Sequence, residues 1–238
     1  MNAYEVLIDN SLKIEELLGY TFENKKWLIL AFVHRSFFNE QKEVVEEHNE
    51  RLEFLGDAVL GLIVSSTLYT LLPDQSEGQL SHLRSQAVEA SRCALFVAKL
   101  EIGSFLLLGK GEKRAEGRGR ETILADFFEA LLGAIYLDGG LEAARTFFLH
   151  HFQEDLQKIM EKPTRNWKAE LQDYSQKKFQ KPPQYKVIME SGPDHSKMFH
   201  IKVHIDDKVM GQGSGFSKKQ AEQASAEQAL LVLDLLRN

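Results

Sequence analysis

Two short runs of the chain set acids in apolar surroundings: Asn49-Glu50-Arg51-Leu52-Glu53-Phe54-Leu55-Gly56-Asp57 and Thr122-Ile123-Leu124-Ala125-Asp126-Phe127-Phe128-Glu129-Ala130. Both read as helix. At the helical advance per residue, Glu50, Glu53 and Asp57 fall within an arc of about 60°, with Leu52, Leu55, Val59 and Ile63 on the core-facing side. Asp126 and Glu129 are neighbours one turn apart, flanked by Ile123, Leu124, Phe127, Phe128, Leu131 and Leu132. A helix that is apolar almost all round is a buried helix, so these two acids are not expected on a solvated face. Uncompensated buried carboxylates are costly: they take up protons, pair with a cation such as Arg51, Arg84 or Arg120, or hold a metal. An all-oxygen cluster suits a hard divalent ion such as magnesium. Periodicity alone stops at an expected acidic metal site, with a buried ion pair as its competitor.

The elements that must position these acids are helices. Residues 1–160 contain no strand alternation, and candidate helices run over 11–18, 24–33, 48–71, 77–99, 122–137 and 140–160. Pro73 ends the third, and Asp138-Gly139-Gly140 ends the long buried one. The Gly-, Lys- and Arg-rich stretch from Gly109 to Gly119 reads as a surface loop. Near Lys162-Pro163-Thr164 the character changes. A helix over about 165–179 leads to Pro182-Pro183, three strand-like runs (184–191, 197–206, 208–213) and a last helix from Ser217 to about Leu236. Phe199, Ile201, Val203 and Ile205 alternate with His200, Lys202 and His204, the period of a half-buried strand.

The 238 residues allow one or two domains, and an apolar fraction of 43% is enough for real cores. A single cysteine, Cys93, excludes a disulfide framework; it sits in an apolar stretch and is expected as a buried thiol. Met1-Asn2-Ala3-Tyr4-Glu5 lacks the features of a signal peptide, and the apolar stretch Ala58 to Leu72 reads as too short to span a bilayer. A soluble cytoplasmic protein without membrane association is expected. Residues 1–162 hold 17 Lys/Arg against 26 Asp/Glu (−9), and residues 163–238 hold 12 against 9 (+3), which together make the net −6. The basic end is where a polyanion would bind.

The last helix opens Gly215-Phe216-Ser217-Lys218-Lys219-Gln220-Ala221-Glu222, where Ser217 with Gln220 fits a capping box. Lysines in a first turn oppose the helix dipole, but they strengthen a helix N-terminus as a phosphate site. Together with Leu171-Gln172-Asp173-Tyr174, Gln176, Pro183-Gln184-Tyr185, Ser191-Gly192-Pro193-Asp194-His195 and Gly211-Gln212-Gly213, this region resembles the double-stranded-RNA-binding domain. The resemblance implies recognition of A-form shape rather than sequence, with Gln172, Gln176, His195, Ser217, Lys218 and Lys219 as RNA contacts.

Asn49 to Leu60 resembles the signature of ribonuclease III, the double-strand-specific endoribonuclease. His34-Arg35-Ser36, Glu77-Gly78-Gln79-Leu80-Ser81, Leu108-Gly109-Lys110-Gly111-Glu112 and Tyr136-Leu137-Asp138-Gly139-Gly140 agree in order, so the likeness spans nearly all of 11–236. Departures are small: Val33 stands where Thr is usual before His-Arg-Ser, Thr122 where Ser is common, and residues 38–47 form a longer acidic loop.

The resemblance implies an all-α endonuclease domain over 1–160, a linker at 161–165 and an α-β-β-β-α double-stranded-RNA-binding domain over 166–238. It implies that Glu53, Asp57, Asp126 and Glu129 gather magnesium, with manganese able to substitute, and that Asp57 and Glu129 are catalytic. Glu50 and Glu77 would be supporting acids. It further implies a homodimer, no small-molecule cofactor, staggered cuts leaving 5′-phosphate and 3′-hydroxyl ends, and a place in rRNA and mRNA processing. Two competitors stand beside it. One is a double-stranded-RNA binder that kept the fold without cleaving. The other is a helical metal-dependent phosphohydrolase, disfavoured because the chain contains no His-Asp pair.

Overall fold

The computed structural model describes residues 2–114, 119–161, 166–193 and 197–233. It divides into two compact units, Met1–Pro163 and Thr164–Asn238. The first is helical: α1 (Ala3–Asp9), α2 (Ser11–Leu18), α3 (Lys25–Ala31), α4 (Arg35–Glu40), α5 (Glu50–Leu71), α6 (Glu77–Ala87), α7 (Ala90–Lys99), a 3-10 turn over Gly103–Phe105, α8 (Lys110–Arg114) and α9 (Arg120–Glu161). α5 and α9 form its centre. Leu52, Val59, Leu60, Ile63, Val64 and Leu68 of α5 are buried together with Phe127, Phe128, Leu131, Leu132 and Ile135 of α9. Aromatic rings extend this core, with Phe96 and Phe128 centroids 5.2 Å apart and Phe32 and Phe127 4.7 Å apart.

Several sequence expectations change. The span 77–99 is two helices, broken where Glu89 takes an extended conformation (ψ 141°) at the N-cap position of α7, without a side-chain cap bond. The break turns Cys93, Phe96 and Val97 into the core. Ser76 and Gln79 supply a reciprocal capping box at the start of α6. Within 109–119, Lys110–Arg114 is a short helix rather than loop. The helix-stop expected near 138–140 exists as a break inside α9, where Gly140 adopts φ 79° and ψ −176° and the chain resumes helix directly. Asp138 serves the fold there: its carboxylate accepts from Tyr20 Oη (2.9 Å) and from the backbone amides of Glu23 (2.9 Å) and Asn24 (2.8 Å), tying the start of α3 to the break. Helix α5 begins well before Ala58. At 22 residues it is long and apolar enough to cross a membrane by length and composition. One face of it lies in the core.

The second unit contains α10 (Trp167–Phe179), β1 (Gln184–Ser191), β2 (Met198–Ile205), β3 (Lys208–Gly215) and α11 (Lys218–Val232). Its sheet is antiparallel in the order β1-β2-β3, with Val203 opposite Tyr185 and Gly211. Asp206 and Asp207 both take positive φ (51° and 60°), the type I′ geometry that suits a two-residue hairpin. The core is small: Leu171, Val203, Ile205, Ala226, Ala229 and Leu230. The cap at α11 is half of the expected box. Ser217 Oγ accepts from the Gln220 amide (3.2 Å), while Gln220 Oε1 accepts from the Phe216 amide (3.1 Å) rather than from Ser217.

At Gly56 and Gly133, helices α5 and α9 approach each other backbone to backbone. A Cβ on Gly56 would overlap the Glu129 carbonyl oxygen, and one on Gly133 would overlap the Leu52 carbonyl oxygen. Gly56→Ala is therefore expected to destabilise the first unit by about 1–3 kcal/mol or more by overpacking. It should also separate the acids on the two helices. Thermal melting together with the RNA cleavage that the resemblance implies measures both, and a stable, fully active variant would contradict the close crossing.

Candidate active site

The crossing carries the acids. Glu53 lies one residue from Leu52, whose carbonyl Gly133 approaches, and Glu129 is the residue Gly56 meets. One carboxylate oxygen from each of Glu53, Asp126 and Glu129 lies within 4.8 Å of the others, and all three residues are half-buried. Phe127 and Phe128, fully buried between Asp126 and Glu129 in sequence, anchor this stretch of α9 from beneath. Cys93 is also fully buried, and burial pushes its thiol up to about 12.

Burial is the first cause of an upward shift in each of the three carboxyls. For Glu129, the charges of Asp57, Asp126 and Glu53 add to burial and raise its carboxyl to about 7. Among the described residues, neither Asp126 nor Glu129 forms an ion pair with Arg51, Arg84 or Arg120. The buried-ion-pair reading left open by the sequence thus has no support in the fold. Three half-buried carboxylates with oxygen donors this close match what a hard divalent cation requires.

Other expected site residues lie at varying remove. Asp57, one turn along α5 from Glu53, is exposed and outside the group of three, yet its charge acts on Glu129. Glu50 is also outside that group and pairs with Arg35, Nη1 to Oε1 3.0 Å. Glu77 is exposed in the first turn of α6, where its carboxylate accepts from Ser81 Oγ (3.0 Å). In the second unit, Gln172 and Gln176 are exposed one turn apart on α10. Lys218 and Lys219 are exposed in the first turn of α11, behind the half-buried cap Ser217. His195 lies outside the described residues. Two neighbours of the acids escaped the reading of the acid runs: Arg35, through its pair with Glu50, and His34. Burial lowers the His34 pKa against the opposing charges of Glu112, Asp126 and Glu50. Their tripeptide stood out in the sequence, but its neighbours are set by tertiary contacts.

A family profile described as Ribonuclease-III-like matches residues 24–156, and one described as Double-stranded RNA binding motif matches residues 167–233. The chain is 56% identical to "Ribonuclease 3" of Protochlamydia amoebophila over 99% of this chain and 97% of that protein. The chain belongs to the ribonuclease III family. It is 44% identical to "Ribonuclease 3" of Leptospira interrogans over 91% of this chain and 87% of that protein. A solved nuclease domain of ribonuclease III from Campylobacter jejuni, described for flexibility in the region involved in dimer formation, superposes with a TM-score of 0.54. That match has 39% identity and covers 60% of this chain and 95% of that one. This ribonuclease III family member is thus an endoribonuclease with a helical nuclease domain followed by a double-stranded-RNA-binding fold.

The Glu129 shift has a consequence for stability without metal. Its folded carboxyl binds a proton more tightly than the unfolded one, so native stability falls as pH rises from about the ordinary carboxylate value towards 7. The deficit is complete above that range. In chelator at pH 8, Glu129→Gln should therefore melt above the parent by roughly 2–4 °C per kcal/mol relieved, with the gap closing by pH 4. Paired calorimetric scans across pH test this, and a gap independent of pH would refute it.

Proposed function

We propose that this chain hydrolyses double-stranded RNA endonucleolytically in a divalent-metal-dependent reaction, as a homodimer that cuts the two strands with a stagger. The observation that carries this reading is the convergence of Glu53, Asp126 and Glu129 within 4.8 Å, half-buried and forming no ion pair with a basic residue among the described residues. Glu53, Asp57, Asp126 and Glu129 are the residues that would hold magnesium, or manganese in its place. When bound, such an ion lowers the pKa of an attacking water and offsets charge on the departing 3′-oxygen.

The protein's own contribution is placement and desolvation. The aromatic layer under α9 keeps Asp126 and Glu129 partly out of water, so their attraction for a cation would be weakly screened where a phosphodiester is to react. In the overall step the water oxygen bonds to phosphorus, the bond from phosphorus to the 3′-oxygen breaks, and that oxygen gains a proton. Products then carry 5′-phosphate and 3′-hydroxyl ends.

Support for a second copy comes from the outward face of α5. Phe54, Leu62 and Tyr69 are 82%, 52% and 74% exposed, and with Ala58 they share one side of the helix. An exposed apolar stripe of this kind marks an interaction surface. RNA binding by the second unit is assigned to Gln172, Gln176, His195, Ser217, Lys218 and Lys219, reading duplex shape and phosphates. Processing of rRNA and mRNA precursors in the cytoplasm belongs to the same reading, with Glu50 and Glu77 in supporting roles.

The test is product-end mapping on a long perfectly paired RNA with magnesium. Offset cuts with 5′-phosphate ends are expected, whereas RNA bound normally but left intact would make the chain a binder only. Glu129→Gln should abolish cleavage while leaving RNA affinity nearly unchanged; a parallel loss of binding, read by gel shift, would make Glu129 structural. Replacing Lys218 and Lys219 together by Ala should weaken binding at moderate salt and flatten its salt dependence by up to roughly two phosphate contacts. An unchanged salt slope would remove both lysines from the interface.

A further inference from the structure

The His34-Arg35-Ser36 tripeptide has no task in the reading above, yet the structure mounts it with care. Its outer residues are consumed by the fold. The His34 amide donates to the Leu107 carbonyl (3.1 Å), His34 Nδ1 accepts from the Ser36 amide (3.1 Å), and Ser36 Oγ accepts from the Gly109 amide (2.9 Å). The middle residue is not consumed: the Arg35 side chain is 63% exposed, with Nη1 3.0 Å from Glu50 Oε1.

The segments bearing this pair are stitched together. Buried Asn49, immediately before Glu50, donates its backbone amide to the Val33 carbonyl (2.9 Å) and its side-chain amide to the Ala31 carbonyl (3.1 Å). An exposed ion pair contributes little to stability, so stability alone does not account for the arrangement. Glu50, for its part, stands outside the three acids whose oxygens converge. The Arg35 charge also reaches Glu53, lowering its carboxyl against burial.

We propose that Arg35 is an RNA-contact residue of the nuclease site, binding a backbone phosphate beside the one that is cut. Glu50 acts through it, as a positioning residue that holds the guanidinium rather than a metal. The inference rests on the nuclease reading of this site. A polyanion approaching a group of half-buried carboxylates is repelled, and a fixed cation at the rim supplies an anchor. A guanidinium suits the task because it is planar, always charged and presents paired N–H groups that match two phosphate oxygens. The contact to Glu50 occupies Nη1 and leaves other donors of the fork for a phosphate. Holding the side chain beforehand reduces the ordering required when RNA binds.

The test uses the full chain and a fluorescent, perfectly paired RNA. Arg35→Ala, Arg35→Lys, Glu50→Gln and the double variant Arg35→Ala with Glu50→Gln are compared. RNA affinity is titrated against salt in a Glu129→Gln background, and half-saturating RNA and half-saturating magnesium are measured in cleavage-competent protein. Arg35→Ala is expected to weaken affinity about tenfold at moderate salt and to reduce the salt slope by roughly one contact. Arg35→Lys should restore the slope but only part of the affinity. Glu50→Gln should weaken affinity less, add nothing to Arg35→Ala and leave half-saturating magnesium unchanged.

An unchanged slope in Arg35→Ala would overturn the RNA contact, and the binding arm reads this even if the parent protein proves unable to cleave. Additive losses in the double variant, or a shifted magnesium requirement in Glu50→Gln, would overturn the positioning role. Parent protein that binds the RNA but never cuts it would sink the nuclease reading separately.

Discussion

The site exists because α5 and α9 touch backbone to backbone. Gly56 faces the Glu129 carbonyl and Gly133 faces the Leu52 carbonyl, leaving no room for a side chain at either point. Helix axes normally pack 8–10 Å apart, at a distance set by the residues at the contact. Glycine on both helices allows the near end of that range. Acidic side chains rooted at the crossing or one turn from it can then bring their oxygens within 4.8 Å. A pair of alanines would overlap both carbonyls, forcing the helices and the acids they carry apart.

That proximity runs against the stability of the fold. Glu53, Asp126 and Glu129 all have carboxyls raised first of all by burial, and their mutual repulsion adds to the shift of Glu129. Nearby aromatic packing opposes this strain. Phe128 lies against Phe96 and Phe152, with centroids 5.2 and 5.5 Å away, so the stretch of α9 bearing the acids sits on a rigid layer. Locally destabilising charge held by a well-packed support is the pattern expected where function, rather than folding, selects the residues.

The second unit solves a different problem with less material. Its small core, clustered on Leu171, Val203, Ile205, Ala226, Ala229 and Leu230 among the described residues, holds two helices on one three-stranded sheet, leaving Gln172, Gln176, Lys218 and Lys219 exposed. The division of charge along the chain, −9 before residue 163 and +3 after it, follows the same division of labour. An acidic region repels a polyanion unless cations offset its charge, whereas a basic one attracts it directly.

Much of this was legible in the sequence because it is local or periodic. The spacing of Glu50, Glu53 and Asp57, the Phe127-Phe128 pair between two acids, the alternation through Phe199–Ile205 and the Ser217 cap each follow from one element considered alone. Helix boundaries were less so: the break before α7 depends on where Cys93 and Phe96 find their core, and α8 lies where glycine and lysine composition indicated a loop. The sequence by itself determined which residues are acidic, which faces are apolar and that a basic α-β-β-β-α unit follows a helical one. Only the tertiary structure decided that Glu53 meets Asp126 and Glu129 while Asp57 stands outside that group, and that Arg35 finds Glu50. The reason is physical: periodicity places a side chain on its own helix, but distances between helices depend on how their surfaces interlock, which no single segment encodes.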